Sequence, residues 1–151
     1  MKSERPDTPV ELKVRALRFL VRREHSRAEL ARKLLPHAES PASIEDVLNE
    51  LAIKRQLSDE RYAEVRTNWL ARKYGAAKIR HDLKAHGVAE AVVERVSAEG
   101  DYDRAKAIVA RKYRGAATTR EEKAKRARFL QSRGFSYDVI RRVIDADPES
   151  I

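Results

Sequence analysis

Histidine and carboxylate side chains are the groups in this sequence whose chemistry suits acid–base catalysis or metal binding. The histidines are His25, His37, His81 and His86, and the chain has no cysteine. His81 and His86 are five residues apart, which places them off a common helix face, and no HExxH motif accompanies them. The carboxylate pairs that can be imagined are Asp82 with Glu94 and Asp138 with Asp145. Each carboxylate fits an ordinary solvated helix position, so we predict no catalytic residue, no metal, no cofactor and no enzymatic activity.

Positive charge is the chemical property that the sequence concentrates in one place. The chain has 33 Lys+Arg against 24 Asp+Glu, a net charge of +9, and residues 104–133 hold 11 basic and only two acidic residues. This segment therefore accounts for the whole net charge and favours a polyanion or an acidic protein face as partner. The candidate partner-binding residues are Arg104, Arg111, Lys112, Arg114, Arg120, Lys123, Arg126 and Arg133, with Arg72 and Lys73 from an earlier copy of the same motif.

The alternative interpretation is that these cations form an ordinary solvated helix surface. Glu121–Lys125 and Glu122–Arg126 have the i,i+4 spacing of helical ion pairs, each worth only about 0.3–0.5 kcal/mol. A second, weaker basic line runs along the first helix, and a solvent-facing stripe is its preferred interpretation. It consists of Arg15, Arg18 and Arg22.

Two tyrosines are further candidates because aromatic rings can stack on nucleic-acid bases. Tyr74 and Tyr113 end the two copies of an Ala-Arg-Lys-Tyr motif, and packing at helix ends is the preferred interpretation for both. Trp69 falls on an apolar stripe with Tyr62, Val65 and Leu70, so it is predicted to lie in the core rather than to contact a ligand.

The elements that must position these residues form a three-helix unit that occurs three times. The motif ARKY occupies residues 71–74 and again 110–113, and Gly87-Val88 recurs as Gly134-Phe135. One triplet of apolar residues keeps its internal spacing, with copies starting at positions 47, 92 and 139, which are 45 and 47 residues apart. A period of this length is typical of helical arrays in which neighbouring units complete each other's core.

The predicted fold is all-α, with three tandem three-helix repeats that form an elongated, curved molecule. Residues 1–7 are assigned to a disordered tail, 8–57 to the first repeat, 58–100 to the second and 101–151 to the third with an acidic tail. No stretch approaches the roughly 20 apolar residues of a membrane span, and the first residues lack the apolar run of a signal peptide. We therefore expect a cytoplasmic monomer with no membrane association.

Capping signals place the helix ends. Thr8 to Glu11 and Ser26 to Glu29 read as capping boxes, His25 reads as a turn residue, and the first helix is expected to bury a stripe that begins at Val10. That stripe is Val10, Val14, Leu17 and Val21. Further expected features are a loop from His37 to Ser43, N-caps at Ser43, at Ser58 and at Thr118 or Thr119, and a left-handed glycine at Gly75.

Several short segments together resemble the RecX family of bacterial regulatory proteins. The similarity covers about residues 14–144 in the right order. The matching segments are Arg23–Ser26, Glu29-Leu30, Lys33-Leu34, Leu57–Ala63, Ile79-Arg80, Leu83, Gly87-Val88, Arg128–Leu130, Arg133–Ser136 and Ile140. Two residues depart from the family pattern: Tyr62 replaces a common phenylalanine, and Gln56 replaces a common glycine.

The resemblance implies a non-enzymatic modulator of the RecA recombinase, built of tandem three-helix repeats. Members of the family are thought to lie along the groove of the RecA filament on single-stranded DNA. There they limit filament growth and damp ATP hydrolysis, strand exchange and the co-protease activity on the LexA repressor. The implied partners are the RecA filament and single-stranded DNA, with double-stranded DNA as a weaker one.

A second function stays open, that of an independent helical DNA-binding module. Three-helix units with an arginine-rich helix also resemble helix-turn-helix proteins. Against this alternative, no helix has the cluster of Asn, Gln and Arg with short polar neighbours that reads base edges.

Overall fold

The computed structural model describes residues 5–145, and helices are the regular elements of this part of the chain. The structure thus confirms the all-α prediction. The helices are α1 Pro9–Arg22, α2 Arg27–Leu34, α3 Pro41–Ile53, α4 Asp59–Leu70, α5 Ala76–Ala85, α6 Glu90–Val93, α7 Asp101–Lys112, α8 Arg120–Ser132 and α9 Tyr137–Asp145, with a 3₁₀ turn at Leu35–His37. The predicted acidic tail lies mostly outside the described residues.

Internal contacts divide the chain into two compact units. The first unit comprises Met1–Val65 with Leu83–Val92, and the second comprises Arg66–Asp82 with Val93–Ile151. The unit boundaries fall within α4 and α5, so each unit contains parts of more than one of the predicted repeats. All ten candidate partner-binding residues belong to the second unit.

The core of the first unit corrects the predicted register of α1. The buried residues of this helix are Leu12 and Ala16, whereas Val10 and Val21 are 73% and 86% exposed. Val14 is also exposed, and of the predicted stripe only Leu17 packs against the core. The helix carries two overlapping apolar stripes, and the one with the small Ala16 faces α2 and α3. Periodicity alone does not distinguish two such stripes.

The core of the second unit combines α7, α8 and the start of α9. Its buried residues are Ala105, Ile108, Val109, Leu130, Phe135 and Ile140, and Tyr113, Phe129 and Val139 pack partly buried against them. Leu130 and Ile140 lie in the segments whose spacing repeats along the sequence. These buried positions fix the side of α8 that faces the core, and therefore the side that its basic residues present to solvent.

Several helix caps follow the sequence, and one is shifted. Thr8 with Glu11 and Thr119 with Glu122 form complete capping boxes, and the Ser58 hydroxyl accepts from the Arg61 amide at 3.1 Å. The prediction of Ser43 as the N-cap of α3 is wrong. Ser40 is the N-cap and Pro41 is the first helical residue, so the expected loop from His37 to Ser43 is much shorter.

Residues 5–7, which the sequence assigns to a disordered tail, contact the first unit. The Asp7 amide donates to the His37 carbonyl at 2.8 Å, and the Asp7 carboxylate accepts from Arg15 Nε at 2.7 Å. Arg5 pairs with Glu11, and its hydrogen bonds lower the pKa of Glu11 to about 2. Arg15 of the weaker basic line is thus engaged within the fold.

An aspartate at the start of a helix performs the same structural task in both units. In the first unit, the Asp59 carboxylate accepts from the Arg27 amide at 2.8 Å and from the Ala89 amide at 2.9 Å. In the second, the buried Asp101 carboxylate accepts from the Ala76 amide at 3.2 Å. Arg27 and Ala76 are the first residues of α2 and α5, whose amides lack a partner within their own helix. The repeat therefore extends to hydrogen bonds that the sequence comparison did not identify.

Gly75 corrects another prediction, because its φ is not positive. What requires glycine here is the close approach of the α8–α9 turn. A Cβ atom on Gly75 would lie 2.6 Å from the Gly134 carbonyl oxygen, and the Gly75 amide donates to the Arg133 carbonyl at 2.7 Å. Gly134 does have a positive φ of 86°, and a Cβ there would lie 2.5 Å from Lys78 Cβ. The turn is thus seated directly on the start of α5.

His25 lies in the turn between α1 and α2 as expected, but its side chain is buried, with 1% exposed. Its Nε2 atom accepts from Lys33 Nζ at 2.9 Å, so Nδ1 carries the proton that is donated to the Arg23 carbonyl at 3.0 Å. Burial is the main cause of a lowered pKa of His25, and the charges of Arg23 and Lys33 lower it further, whereas the hydrogen bond to the Arg23 carbonyl and the charge of Glu29 raise it. The imidazole is therefore neutral in the folded protein at pH 7.

This neutral histidine predicts a loss of stability in mild acid. A histidine with a lowered pKa in the folded state binds its proton more readily when the chain is unfolded. The free energy of unfolding should therefore fall as the pH drops below about 6.5, the usual histidine value. We expect the urea midpoint to fall between pH 7.5 and 5.5 by more in the native protein than in His25→Gln. An equal fall in both proteins would contradict the assignment.

Candidate partner-binding surface

Three of the basic residues of α8 lie along one line of the helix. Thr119 caps the helix, and the spacing of three residues places Arg120, Lys123 and Arg126 as neighbours on its surface. Arg120 and Lys123 are exposed and Arg126 is half-buried. Arg114, in the loop before the helix, is exposed as well. The start of α8 therefore presents several guanidinium and ammonium groups to solvent.

The i,i+4 ion pairs expected on α8 do not form among the residues that the structure describes. Glu122 instead completes the capping box, where its carboxylate accepts from the Thr118 amide at 2.8 Å. The hydrogen bond from this amide is the main reason that the pKa of Glu122 is lowered. Because Glu122 is used by the cap, it does not form an ion pair with Arg126. The positive charge of the surface is thus less compensated than the sequence suggested.

Aromatic rings hold part of the basic surface in place. Tyr113 packs edge-on against Phe129 with ring centroids 6.0 Å apart. Arg126 Cζ lies 4.8 Å from the Tyr113 centroid, and Lys112 Nζ lies 4.4 Å from that of Phe129. Such cation–π contacts contribute roughly 0.5–1 kcal/mol each at exposed sites. These contacts hold the cationic groups near the helix ends and do not neutralise their positive charge.

The same arrangement continues to the first copy of the ARKY motif. Arg133 Cζ lies 5.0 Å from the Phe129 centroid and 5.3 Å from that of Tyr74. Arg111 Nη2 donates to the Arg72 carbonyl oxygen at 2.6 Å. Tyr74 and Tyr113 are half-buried at helix ends, as their preferred interpretation predicts. The two copies of the motif are therefore in direct contact within the second unit.

Arg104 differs from the other candidates because, among the described residues, it pairs with a buried carboxylate. The Arg104 guanidinium pairs with the buried Asp101 carboxylate, which also holds the start of α5. Its Nε atom is buried and has no hydrogen-bond partner among the described residues. The charge of Arg104 is thus compensated inside the fold. The basic surface is hereafter Arg72, Lys73, Arg111, Lys112, Arg114, Arg120, Lys123, Arg126 and Arg133.

Trp69 corrects the prediction that it lies in the core. It is 58% exposed rather than part of the core, and Val65 is exposed too. The buried face of α4 carries Tyr62, Ala63 and Leu70. Ala63 and Leu70 are seven residues apart, but so are Tyr62 and Trp69, so this spacing alone does not decide which pair lies on the buried side. The local sequence therefore carries no signal that could have corrected the stripe.

Other site types have no support in the described part of the chain. Among residues 5–145, no three side chains of the His, Asp or Glu type lie close enough together to hold a metal ion. Within the same residues, every helix is too short or too polar to cross a lipid bilayer.

Comparisons with protein families give three matches in chain order. The first three-helix domain of RecX matches residues 13–51, the second matches residues 58–96 and the third matches residues 99–144. The regulatory protein RecX of Ralstonia nicotianae is 42% identical over 142 residues, covering 92% of this chain and 89% of the relative. That of Leptothrix cholodnii is 42% identical over 147 residues, covering 95% of this chain and 92% of the relative.

Solved structures show the same fold. The crystal structure of RecX from Lactobacillus salivarius has a TM-score of 0.79 at 20% identity, and the match covers 90% of this chain and 94% of that one. A second crystal structure, of a regulatory protein RecX, has a TM-score of 0.73 at 20% identity and covers 97% of this chain and 81% of that one. The fold therefore persists where most residues differ.

Proposed function

This chain belongs to the RecX family of regulatory proteins, and from that premise we propose that it modulates the RecA recombinase. The observation that carries the proposal is the ordered match of all three RecX domains along the chain. The proposed target is the filament that RecA forms on single-stranded DNA. Binding in the filament groove limits extension of the filament and damps ATP hydrolysis, strand exchange and the co-protease activity on LexA.

The proposed mechanism requires binding and no catalysis by this chain. A protein that contacts several neighbouring protomers of a filament restrains their movements relative to one another, and this lowers the rate of any reaction that depends on those movements. This restraint makes and breaks no covalent bond, so it needs neither a nucleophile nor a metal. The proposed active form is a cytoplasmic monomer.

The basic surface is the proposed contact with the filament. Its nine cations suit acidic side chains of RecA and phosphates of the DNA, and the aromatic contacts hold Lys112, Arg126 and Arg133 in position before binding. Preorganised side chains lose less entropy when they bind than freely rotating ones do. Single-stranded DNA is the proposed nucleic acid, with double-stranded DNA as a weaker ligand.

A partition experiment separates this role from that of an independent DNA-binding module. Preformed RecA filaments on long single-stranded DNA are sedimented with this protein in the presence of a large excess of free oligonucleotide. We expect the protein to remain with the filaments, because protein contacts add to those with DNA. Release of the protein onto the free oligonucleotide in proportion to DNA mass would support the alternative function and contradict the proposal.

The alternative retains one specific observation in its favour. The positive charge of the second unit is concentrated near α8, and a basic helix within a three-helix unit is the feature that DNA-binding modules share. If this function holds, affinity for DNA alone should be high, and its logarithm should fall steeply with the logarithm of the salt concentration. RecA would then affect the binding only as a competitor for DNA.

A further inference from the structure

Trp69 presents a large aromatic surface to solvent at the end of α4. It is the single tryptophan of the chain, and it is 58% exposed. Arg66 Cζ lies 5.1 Å from the indole centroid, and its guanidinium makes two hydrogen bonds of 2.9 Å to the Asp82 carboxylate. The ring thus stands next to a side chain that is itself held by an ion pair.

The segment that contains Trp69 is basic in sequence, and the acidic side chain that approaches it is Asp82, through Arg66. Residues 66–81 contain no Asp or Glu and five Lys or Arg residues. Arg72 and Lys73 follow Trp69 by three and four residues, and both are exposed. The amides of Ala71 and Lys73 donate to the carbonyls of Thr67 and Leu70 at 2.8 and 2.9 Å, so the turn after α4 is held by its own backbone.

An exposed indole that two exposed cations follow within four residues has the chemistry of a single-strand binding site. Proteins that bind single-stranded nucleic acid place aromatic rings under successive bases and cations along the phosphates. We infer that Trp69 stacks on one base of single-stranded DNA while Arg72 and Lys73 bind the adjacent phosphates. In a duplex the faces of the bases are covered by their neighbours, so Trp69 should not contribute there.

The position of Trp69 connects this site to the basic surface. Arg72, which belongs to both, accepts a hydrogen bond from Arg111 at its carbonyl oxygen. A strand that leaves Trp69 along Arg72 therefore meets the cations of α7 and α8. The inference rests on the proposed function for its setting, since the filament is where the protein meets single-stranded DNA. Beyond the proposed function, the inference names Trp69 as the residue that contacts a base.

The single tryptophan makes the test direct. Titration of the native protein with oligothymidylate should quench the emission of Trp69, because stacking on a base places the indole in contact with the quencher. An oligomer of abasic sites with the same number of phosphates should bind through the cations and leave the emission nearly unchanged. Equal quenching by both oligomers, or binding of oligothymidylate without quenching, would overturn the inference.

Substitution provides the second readout. Trp69→Ala should lower the affinity for oligothymidylate about tenfold, the size of one base-stacking contact, and should leave the affinity for a duplex of equal length within about twofold. Trp69→Phe should restore most of the loss. Tyr137→Ala is the matched control, because Tyr137 is an exposed aromatic residue on α9 outside residues 66–81. It should bind both DNAs like the native protein.

The assay also separates this inference from the proposed function. If Trp69→Ala binds oligothymidylate normally but no longer damps ATP hydrolysis by RecA, Trp69 contacts the recombinase and the inference is wrong, while the proposed function stands. If the native protein leaves ATP hydrolysis unchanged but its tryptophan is quenched by oligothymidylate alone, the proposed function is wrong and the stacking site stands.

Discussion

Reversal of Arg114, Arg120 and Lys123 to glutamate is expected to weaken binding to the RecA–DNA filament roughly 100-fold at low salt. These side chains are exposed and make no ion pair among the described residues, so the folded state does not depend on their charges. Each reversal removes one attraction and adds one repulsion toward a negatively charged partner. Binding is measured by co-sedimentation with filaments at increasing salt, and helix content by circular dichroism should stay unchanged.

A matched variant controls for net charge alone. Arg18, Arg22 and Arg32 are also exposed, lie on α1 and α2 of the first unit, and can be reversed to give the same total charge. This variant is expected to retain binding within about threefold. If both triple variants lose affinity equally, the attraction is a property of the whole molecule's charge. If neither loses affinity, the basic surface is a solvated face with no partner.

Replacement of Gly134 by alanine is expected to lower the free energy of unfolding by about 3 kcal/mol. The positive φ of 86° costs a residue with a Cβ atom about 1–2 kcal/mol. The new Cβ would also lie 2.5 Å from Lys78 Cβ and 2.7 Å from the Lys78 backbone nitrogen, and relief of such overpacking costs about 1–3 kcal/mol. Urea unfolding followed by circular dichroism measures the change.

Gly115 separates the two contributions. Its φ is 67°, close to that of Gly134, but a Cβ placed there meets no atom within 4 Å. Gly115→Ala should therefore show the conformational cost alone, about 1–2 kcal/mol. Equal destabilisation by the two substitutions would mean that the α8–α9 turn is not seated tightly on the start of α5.

The sequence identified the class of fold and the family because both depend on patterns repeated along the chain. The spacing of the apolar triplets survives in three copies and the ARKY motif in two, and the comparisons confirm three three-helix domains in the expected order. Capping boxes at Thr8 and Thr119 were also predictable, because they depend only on residues within one turn of helix. The boundaries assigned to the repeats and the residues assigned to the partner stay predictions.

The errors arose where a choice depended on residues distant in sequence. On α1 and α4, two overlapping apolar stripes compete, and only the neighbouring helices decide that Ala16 faces inward and Trp69 outward. The residues around Gly75 in sequence do not predict that the turn at residues 133–135 packs against it. Glu122 had two possible partners at similar spacing, the Thr118 amide and Arg126, and the cap took precedence.

Arg104 shows why charge counting alone overestimates a surface. Its position in a basic segment made it a candidate, whereas its pairing with Asp101 connects α7 to the first amide of α5. Asp101 and Ala76 are 25 residues apart, so the sequence alone does not predict the hydrogen bond between them. A charged residue in a helical repeat can form an ion pair between helices or contact a binding partner. The structure shows that Arg104 forms the ion pair.

The most direct measurement is the rate of ATP hydrolysis by RecA on single-stranded DNA as this protein is added. DNA is kept in excess over both proteins, so that competition for it cannot lower the rate. If the chain acts on the filament through the basic surface, one molecule per ten or more RecA protomers should lower hydrolysis at least twofold, and the Arg114, Arg120 and Lys123 reversal should abolish the effect. An unchanged rate at that ratio, or equal inhibition by the reversed protein, would contradict the account.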